Sequence, residues 1–206
     1  MAKINLEEFK KRVLHSSIEE LVSESLVDDD PWLFRADASK YIELQAFLSA
    51  QLEDPHSRCI VVGSAKYGFS ISPDTFGRKF RAQSDIDVAV ISPHIFDEIW
   101  DCMLGWRYPW HTRNWADRER DFGVAHMEDH IAGFVTPDQI KVYIGGAKRV
   151  PPPVQRRSVQ WFDTFKMAAN IGPARGHDVE GRLYRSIDHL KLYTRWGLDT
   201  VKKNLT

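Results

Sequence analysis

The chain lacks any apolar run near the roughly 18 residues that a membrane span needs, which excludes a transmembrane reading. It has only two cysteines, Cys59 and Cys102, in 206 residues. Two cysteines without metal-ligand spacing build neither a disulfide framework nor a zinc cluster, and they point to a reducing, intracellular setting. The net charge is −1 at pH 7, so no overall basic field argues for nucleic acid, and any such binding requires a local patch. Internal repeats and low-complexity tracts are absent. The opening residues, MAKINLEEFKKRVL, are charged and amphipathic and contain no apolar signal core. Together these absences predict a soluble cytoplasmic protein with no membrane partner.

What is present is enough to fold. Hydrophobic residues make up 43% of the chain, which supports a real core and argues against disorder. Leu6, Phe9, Val13, Ile18, Leu21, Val22 and Leu26 recur at helical spacing and predict a helix or helix pair over 5–27, with Ser16 or Ser17 as break and cap. Asp28-Asp29-Asp30-Pro31 reads as a solvated turn that stops it, in preference to a metal site. A second helix follows from about Asp37 to Glu53. Pro93 and His94 start another, with Ile95, Ile99, Met103 and Leu104 on one face. A polar helix is expected around Asn114 to Ile131. Ile140 to Ile144 alternates weakly and ends at Gly145-Gly146, as a third strand would. Pro151-Pro152-Pro153 is either a stiff extended linker or the entry to a helix running to Gly172. Val179, Leu183, Ile187, Leu190, Leu198, Val201 and Leu205 predict one long last helix. Asp178 is its N-cap candidate, Gly181 an early weak point and Gly197 a kink or division.

The stretch Cys59 to Ile91 organises these elements. Ile60-Val61-Val62 is a short apolar run that ends in Gly63-Ser64, with Gly68 five residues on. The run Ile86 to Ile91 carries Asp85 and Asp87 at its start. Residues two apart on a strand share a face, so the two carboxylates lie side by side. They repel each other unless a cation sits between them. Oxygen-only ligands beside a phosphate partner favour magnesium or manganese over zinc. A Gly-Ser turn lets backbone N–H groups approach phosphate oxygens without an intervening Cβ. Ser64 adds a hydroxyl donor and Lys66 a point charge.

GSAKYG followed by SDIDVAVI resembles the nucleotidyltransferase superfamily, whose best-known member is DNA polymerase beta. The resemblance covers about 33 residues, Cys59 to Ile91. Gly63, Ser64 and Gly68 match its first half; Ser84, Asp85, Ile86 and Asp87 match its second. It implies that Asp85 and Asp87 hold Mg²⁺ (or Mn²⁺) and act in catalysis, and that Gly63 and Ser64 touch a nucleoside triphosphate. The chain departs from the pattern in two ways. Gly63 and Asp85 are 22 positions apart, and the insertion Ser70 to Arg81 is either an extra loop beside the phosphates or a solvated loop. Active members usually carry a third carboxylate on a later strand. Val142 and Tyr143 stand where an acid is wanted, which leaves Asp138, Asp163 and Glu180 as candidates.

Three other constellations compete for attention. His126 and His130 stand four apart, a spacing zinc sites use, but no third ligand is evident and a polar helix surface is the simpler reading. Trp106, Tyr108, Trp110, His111 and Trp115, interleaved with arginines, suit base stacking or, more simply, core and interface anchoring. Arg182, Arg185, Lys191, Arg195, Lys202 and Lys203 make the last helix basic, as a solvated face or as a surface that tracks phosphates.

The sequence thus predicts an α+β fold, a small mixed β-sheet flanked by N-terminal and C-terminal helices. Its parts are N-terminal helices over 1–54, a core over 55–146 and a C-terminal helical region over 147–206, together one compact unit. The predicted function is metal-dependent transfer of a nucleoside monophosphate from an NTP or dNTP to a hydroxyl of a nucleotide, nucleic-acid or protein acceptor. The resemblance adds a bacterial signalling, toxin–antitoxin or anti-phage setting. The rival readings are an inert relative that serves as a regulatory subunit for a partner protein, and a nucleic-acid-binding module that uses the last helix.

Overall fold

Four strands form the sheet that positions everything else. In the computed structural model, which describes residues 5–26, 30–107, 126–144, 147–170 and 172–206, these are β1 (Arg58–Val61), β2 (Ile86–Ile91), β6 (Val179–Tyr184) and β3 (Phe134–Val135), in that spatial order. β1 runs antiparallel to β2, with Val61 opposite Val88. β2 and β6 are parallel, with Asp87 opposite Glu180. β3 closes the other edge antiparallel to β6. The sheet is therefore mixed, and with its flanking helices the chain is α+β.

The strand pleat sorts side chains to two cores. Val61, Ile86, Val88, Val90, Val179 and Leu183 face one side. There they meet α3 (Ala38–Gln51) through Leu44 and Leu48, α5 (Pro93–Arg107) through Ile95 and Ile99, and α7 (Gln155–Asn170) through Trp161 and Phe165. Ile60, Ala89, Ile91 and Tyr184 face the other side. That side is covered by α1 (Leu6–His15), α2 (Ile18–Ser25) and α8 (Ile187–Leu205), through Phe9, Val13, Leu21, Leu190 and Leu198. The N-terminal helices are thus divided between the two faces: α1 and α2 share one with the last helix, and α3 lies on the other.

Local signals explain most element ends. Asn5 caps α1 by accepting from the Glu8 N–H at 2.9 Å, and the break at Ser16-Ser17 separates α1 from α2. Pro152–Val154 forms a 3₁₀ turn that leads into α7, so the proline triplet is a helix entry. Ser186 caps α8 through the His189 N–H. No described helix is long and apolar enough to cross a membrane.

The predicted last helix needs the main correction. Residues 179–184 are the strand β6, and α8 begins only at Ile187. Val179 and Leu183 fit a helical stripe and a strand face equally well; the parallel pairing with β2 decides. Asp178 is not a helix cap: its carbonyl accepts from the Ile86 N–H at 2.8 Å and ties the starts of both strands together. Gly181 is required rather than weak. A Cβ there would lie 2.1 Å from Cζ of Phe165, so only glycine lets α7 press its ring onto the strand. Gly197 does not divide α8, which runs unbroken.

Three further expectations change. The strand at Val142–Ile144 (β4) exists but, among the described residues, pairs only with β5 (Ala147–Arg149) in a separate two-stranded sheet. The central sheet is completed instead by β6, from the region expected to be helical. The helical residues 126–131, here α6, carry His130, which is only 5% exposed and lies between the rings of Phe96 and Trp100. It is a core histidine, not part of a polar surface. The remainder of the helix expected around 114–131, the aromatic stretch beyond Arg107, and Asp28 and Asp29 lie outside the described residues.

Candidate functional site

The phosphate-turn candidate sits directly against the acid pair. β1 ends at Val61, and the next residue, Val62, donates its N–H to the Asp87 carbonyl at 2.9 Å. Gly63 then opens the short helix α4 (Gly63–Tyr67) with φ of +61°, a left-handed conformation that favours glycine. A Cβ on Gly63 would lie 2.7 Å from Oδ2 of Asp87. The turn and the carboxylate therefore share one spot because no side chain intervenes. Gly68 ends α4 with φ of +83°, and the Trp32 indole fills the space a Cβ would take, 2.9 Å away.

Of the three candidates for a third acid, Glu180 is the one that shares a face with Asp87. It lies directly across from Asp87 in the parallel register, so both side chains leave the same face of the sheet. Asp85, two residues before Asp87, adds the third carboxylate at the mouth of β2. All three residues are solvent-exposed, yet Asp87 is set among enough protein that its carboxyl is pushed up from its ordinary 3.8 to about 6. Burial is the largest cause, followed by the negative charges of Glu180 and Asp85; Arg182 opposes them. The other two candidates stand elsewhere. Asp138 lies in the 3₁₀ turn Pro137–Gln139 packed against α7, on the opposite face. Asp163 is exposed on α7.

The donor set fits a hard divalent cation. It is all oxygen and it concentrates negative charge on one face, where burial and then the neighbouring acids disfavour the charge of the central carboxyl. Among the described residues, no three such side chains are already drawn together at coordinating geometry; the acids share a face and an open mouth rather than a closed cage.

Arg182 supplies the cation on this face. It follows Glu180 by two residues on β6 and pairs with the small Ala89, which leaves room above the strand. Its guanidinium lies 4.7 Å from the Tyr193 ring centre and 5.5 Å from that of Phe134. Burial would lower its pKa, but the neighbouring Tyr184 and Tyr193 outweigh that and raise it, so it stays charged. Such stacking fixes where the charge sits. Ser64 is half-buried one residue after Gly63. Lys66 differs from its neighbours in the turn: it is only 7% exposed and does not present a solvent-facing ammonium.

The insertion between the two signature halves is ordered. Ser70 N–H donates to the Arg78 carbonyl at 2.8 Å, and Gly77 N–H returns to the Ser70 carbonyl at 2.9 Å. Its Phe76 packs down on α1, 6.3 Å from the Phe9 ring, alongside Phe69, the residue just before it, at 5.5 Å. Its basic members remain outside.

Glu180 is among the candidate acids that the sequence offers, but its helical setting there does not place it, or Arg182, on the face of Asp87. The signal was an alternation: Val179, Gly181 and Leu183 on one face, Glu180, Arg182 and Tyr184 on the other, the period of a strand.

Fold and site together define an α+β chain that joins a glycine turn, two strand-borne carboxylates with a third just ahead of β2, and a stacked arginine. A scan of protein-family models, a search of curated proteins and a search of solved structures each return no match to this chain.

Proposed function

We propose that the chain is a metal-dependent nucleotidyltransferase that moves a nucleoside monophosphate from a nucleoside triphosphate to a hydroxyl acceptor. One observation carries the reading: Glu180 stands in register with Asp87, beside Asp85, on the face that Gly63 abuts. Asp85, Asp87 and Glu180 would hold Mg²⁺ or Mn²⁺. When bound, the ion supplies charge stabilisation at the phosphates and a lower pKa for an attacking hydroxyl.

The chain's own residues do the rest. The Gly63-Ser64 turn offers backbone N–H groups and a hydroxyl to phosphate oxygens, with nothing but hydrogen at the Gly63 Cα to keep them away. Arg182, held by Tyr193 and Phe134, offsets charge on the departing pyrophosphate. The proton of the attacking hydroxyl passes to an oxygen of Glu180 as the oxygen bonds to the α-phosphorus and the bond to the bridging oxygen breaks. The inert, regulatory reading drew its support from a missing third acid, and the register of Glu180 weighs against it.

The test is incubation of the folded protein with labelled NTPs and dNTPs and either Mg²⁺ or Mn²⁺, with candidate hydroxyl acceptors present. Pyrophosphate release that disappears in Asp85→Asn/Asp87→Asn is the expected result. Absence of release from every nucleotide, with calorimetry showing no metal-dependent nucleotide binding, overturns the reading.

A further inference from the structure

Three rings meet at the end of the acid face. Phe134 on β3, Tyr184 on β6 and Tyr193 on α8 lie with ring centres 5.1 to 6.0 Å apart, so three elements converge on one spot. The cluster is seated from below. Gly133, just before Phe134, has φ of +81°, and a Cβ there would lie 1.9 Å from Cδ2 of His189. The Arg185 N–H donates to the Gly133 carbonyl at 3.0 Å. His189 stands four residues before Tyr193 on α8, so both lie on one side of the helix. β3 and α8 therefore carry their rings to Arg182 as one docked pair.

These rings divert the arginine. Strand alternation puts Glu180, two residues back, on the same face as Arg182. The register sets Asp87 diagonally across, two residues before Ala89, the partner of Arg182. Diagonal neighbours on a sheet are within reach of a long side chain. Yet among the described residues the guanidinium forms no ion pair with either acid. It lies instead 4.7 Å from the Tyr193 ring centre and 5.5 Å from that of Phe134. An exposed ion pair gains little, whereas a partly desolvated guanidinium gains more on a ring face. Tyr193 is the nearer ring and the one least used by the core: it is 37% exposed, whereas Tyr184 is buried and Phe134 packs on the core.

We infer that Tyr193 is a positioning residue that keeps Arg182 off Asp87 and Glu180, so that the acids stay unneutralised for a cation and the arginine stays free for an anion. This rests on the transferase reading in taking the acids as cation ligands. Without the ring, the guanidinium turns along its own strand and donates to the carboxylates in charge-assisted hydrogen bonds. The site then closes on itself, with its cation and anion positions both filled by its own side chains.

The experiment titrates Mn²⁺ alone into the full chain, followed by calorimetry and by the electron paramagnetic resonance of the free ion. Tyr193→Ala weakens Mn²⁺ binding by about 10-fold or more, the size of effect that follows loss of a group supporting a metal's ligands. Tyr193→Phe keeps the ring and binds as the wild type does. Arg182→Gln/Tyr193→Ala regains wild-type affinity, because no guanidinium remains to close the site. A ring that served only packing would weaken binding in both backgrounds. A second measurement needs no metal. In EDTA at pH 7.5, Asp87→Asn raises the melting temperature in the wild-type background by removing one of the crowded charges. In Tyr193→Ala that gain is lost, because Arg182 already neutralises the carboxylate. Wild-type Mn²⁺ affinity in Tyr193→Ala, equal weakening with and without Arg182, or an equal gain from Asp87→Asn in both backgrounds overturns the inference. Pyrophosphate release by a wild type whose Mn²⁺ affinity Tyr193→Ala leaves unchanged overturns this inference alone. A wild type that neither binds Mn²⁺ nor releases pyrophosphate overturns the transferase, and an Asp87→Asn gain confined to the wild-type background then still upholds the positioning of Arg182.

Discussion

Replacing Asp87 by Asn will stabilise the metal-free protein while destroying the function proposed for it. The carboxyl rises from 3.8 to about 6 because burial, Glu180 and Asp85 all disfavour its charge. At full strength that difference corresponds to about 3 kcal/mol of destabilisation at neutral pH. Asp87 is solvent-exposed, and screening reduces the effect to about 1 kcal/mol. The sign follows from proton linkage. Between about pH 4 and 6 the folded state binds the extra proton, so stability falls as pH rises through this window and stays low above it. Asn keeps the shape and removes the charge. In EDTA at pH 7.5, Asp87→Asn should therefore melt about 2–4 °C above the wild type, as about 1 kcal/mol implies for a chain of this size. The gain should shrink as pH falls from 6 towards 4. Adding Mg²⁺ or Mn²⁺ should raise the wild-type melting temperature and leave the variant unmoved. Differential scanning calorimetry at several pH values, with and without metal, measures all three effects. A variant less stable than wild type at pH 7.5, or a gain that is the same at pH 4.5 and 7.5, would refute the charge argument.

Other outcomes follow from neighbouring geometry. Glu180→Gln should cut pyrophosphate release by about 100-fold or more and weaken the metal-induced rise in melting temperature, whereas Asp163→Asn should change neither; equal effects of the two would place the third acid elsewhere. Gly181→Ala should cost about 1–3 kcal/mol by denaturant titration, because its Cβ falls 2.1 Å from Phe165, and Phe165→Leu should recover part of it in the double variant. Arg157→Ala should cost about 1–3 kcal/mol. Its guanidinium is buried, donates from Nε to Glu98 at 2.8 Å and reaches the Leu52 carbonyl at 3.2 Å; Glu98 keeps Arg156 at 3.2 Å, so the loss strands chiefly the carbonyl and leaves a cavity. Gly63→Ala should abolish metal-dependent nucleotide binding in calorimetry, since φ of +61° and the 2.7 Å approach to Asp87 both exclude a side chain.

The sequence by itself determined the parts of this protein whose signal is local. The helix pair broken at Ser16-Ser17, the helices at 38–51 and 93–107, and strands β1 and β2 were legible because periodicity, caps and prolines act within a few residues. So were Gly63 and the Asp85–Asp87 pair, since a turn after one strand and two like charges on one face of the next need only short spacing. Tertiary structure decided the remainder. Whether 179–184 is helix or strand depended on pairing with β2, nearly a hundred residues away, and on the seat Gly181 leaves for Phe165. That pairing moved Glu180 and Arg182 from a supposed helix to the acid face. His130 left the surface because the Phe96 and Trp100 rings close over it. Trp32, Phe80 and His177, remote in sequence, became neighbours for the same reason. A strand's partner and a ring's neighbour are set by long-range burial, which no window along the chain records.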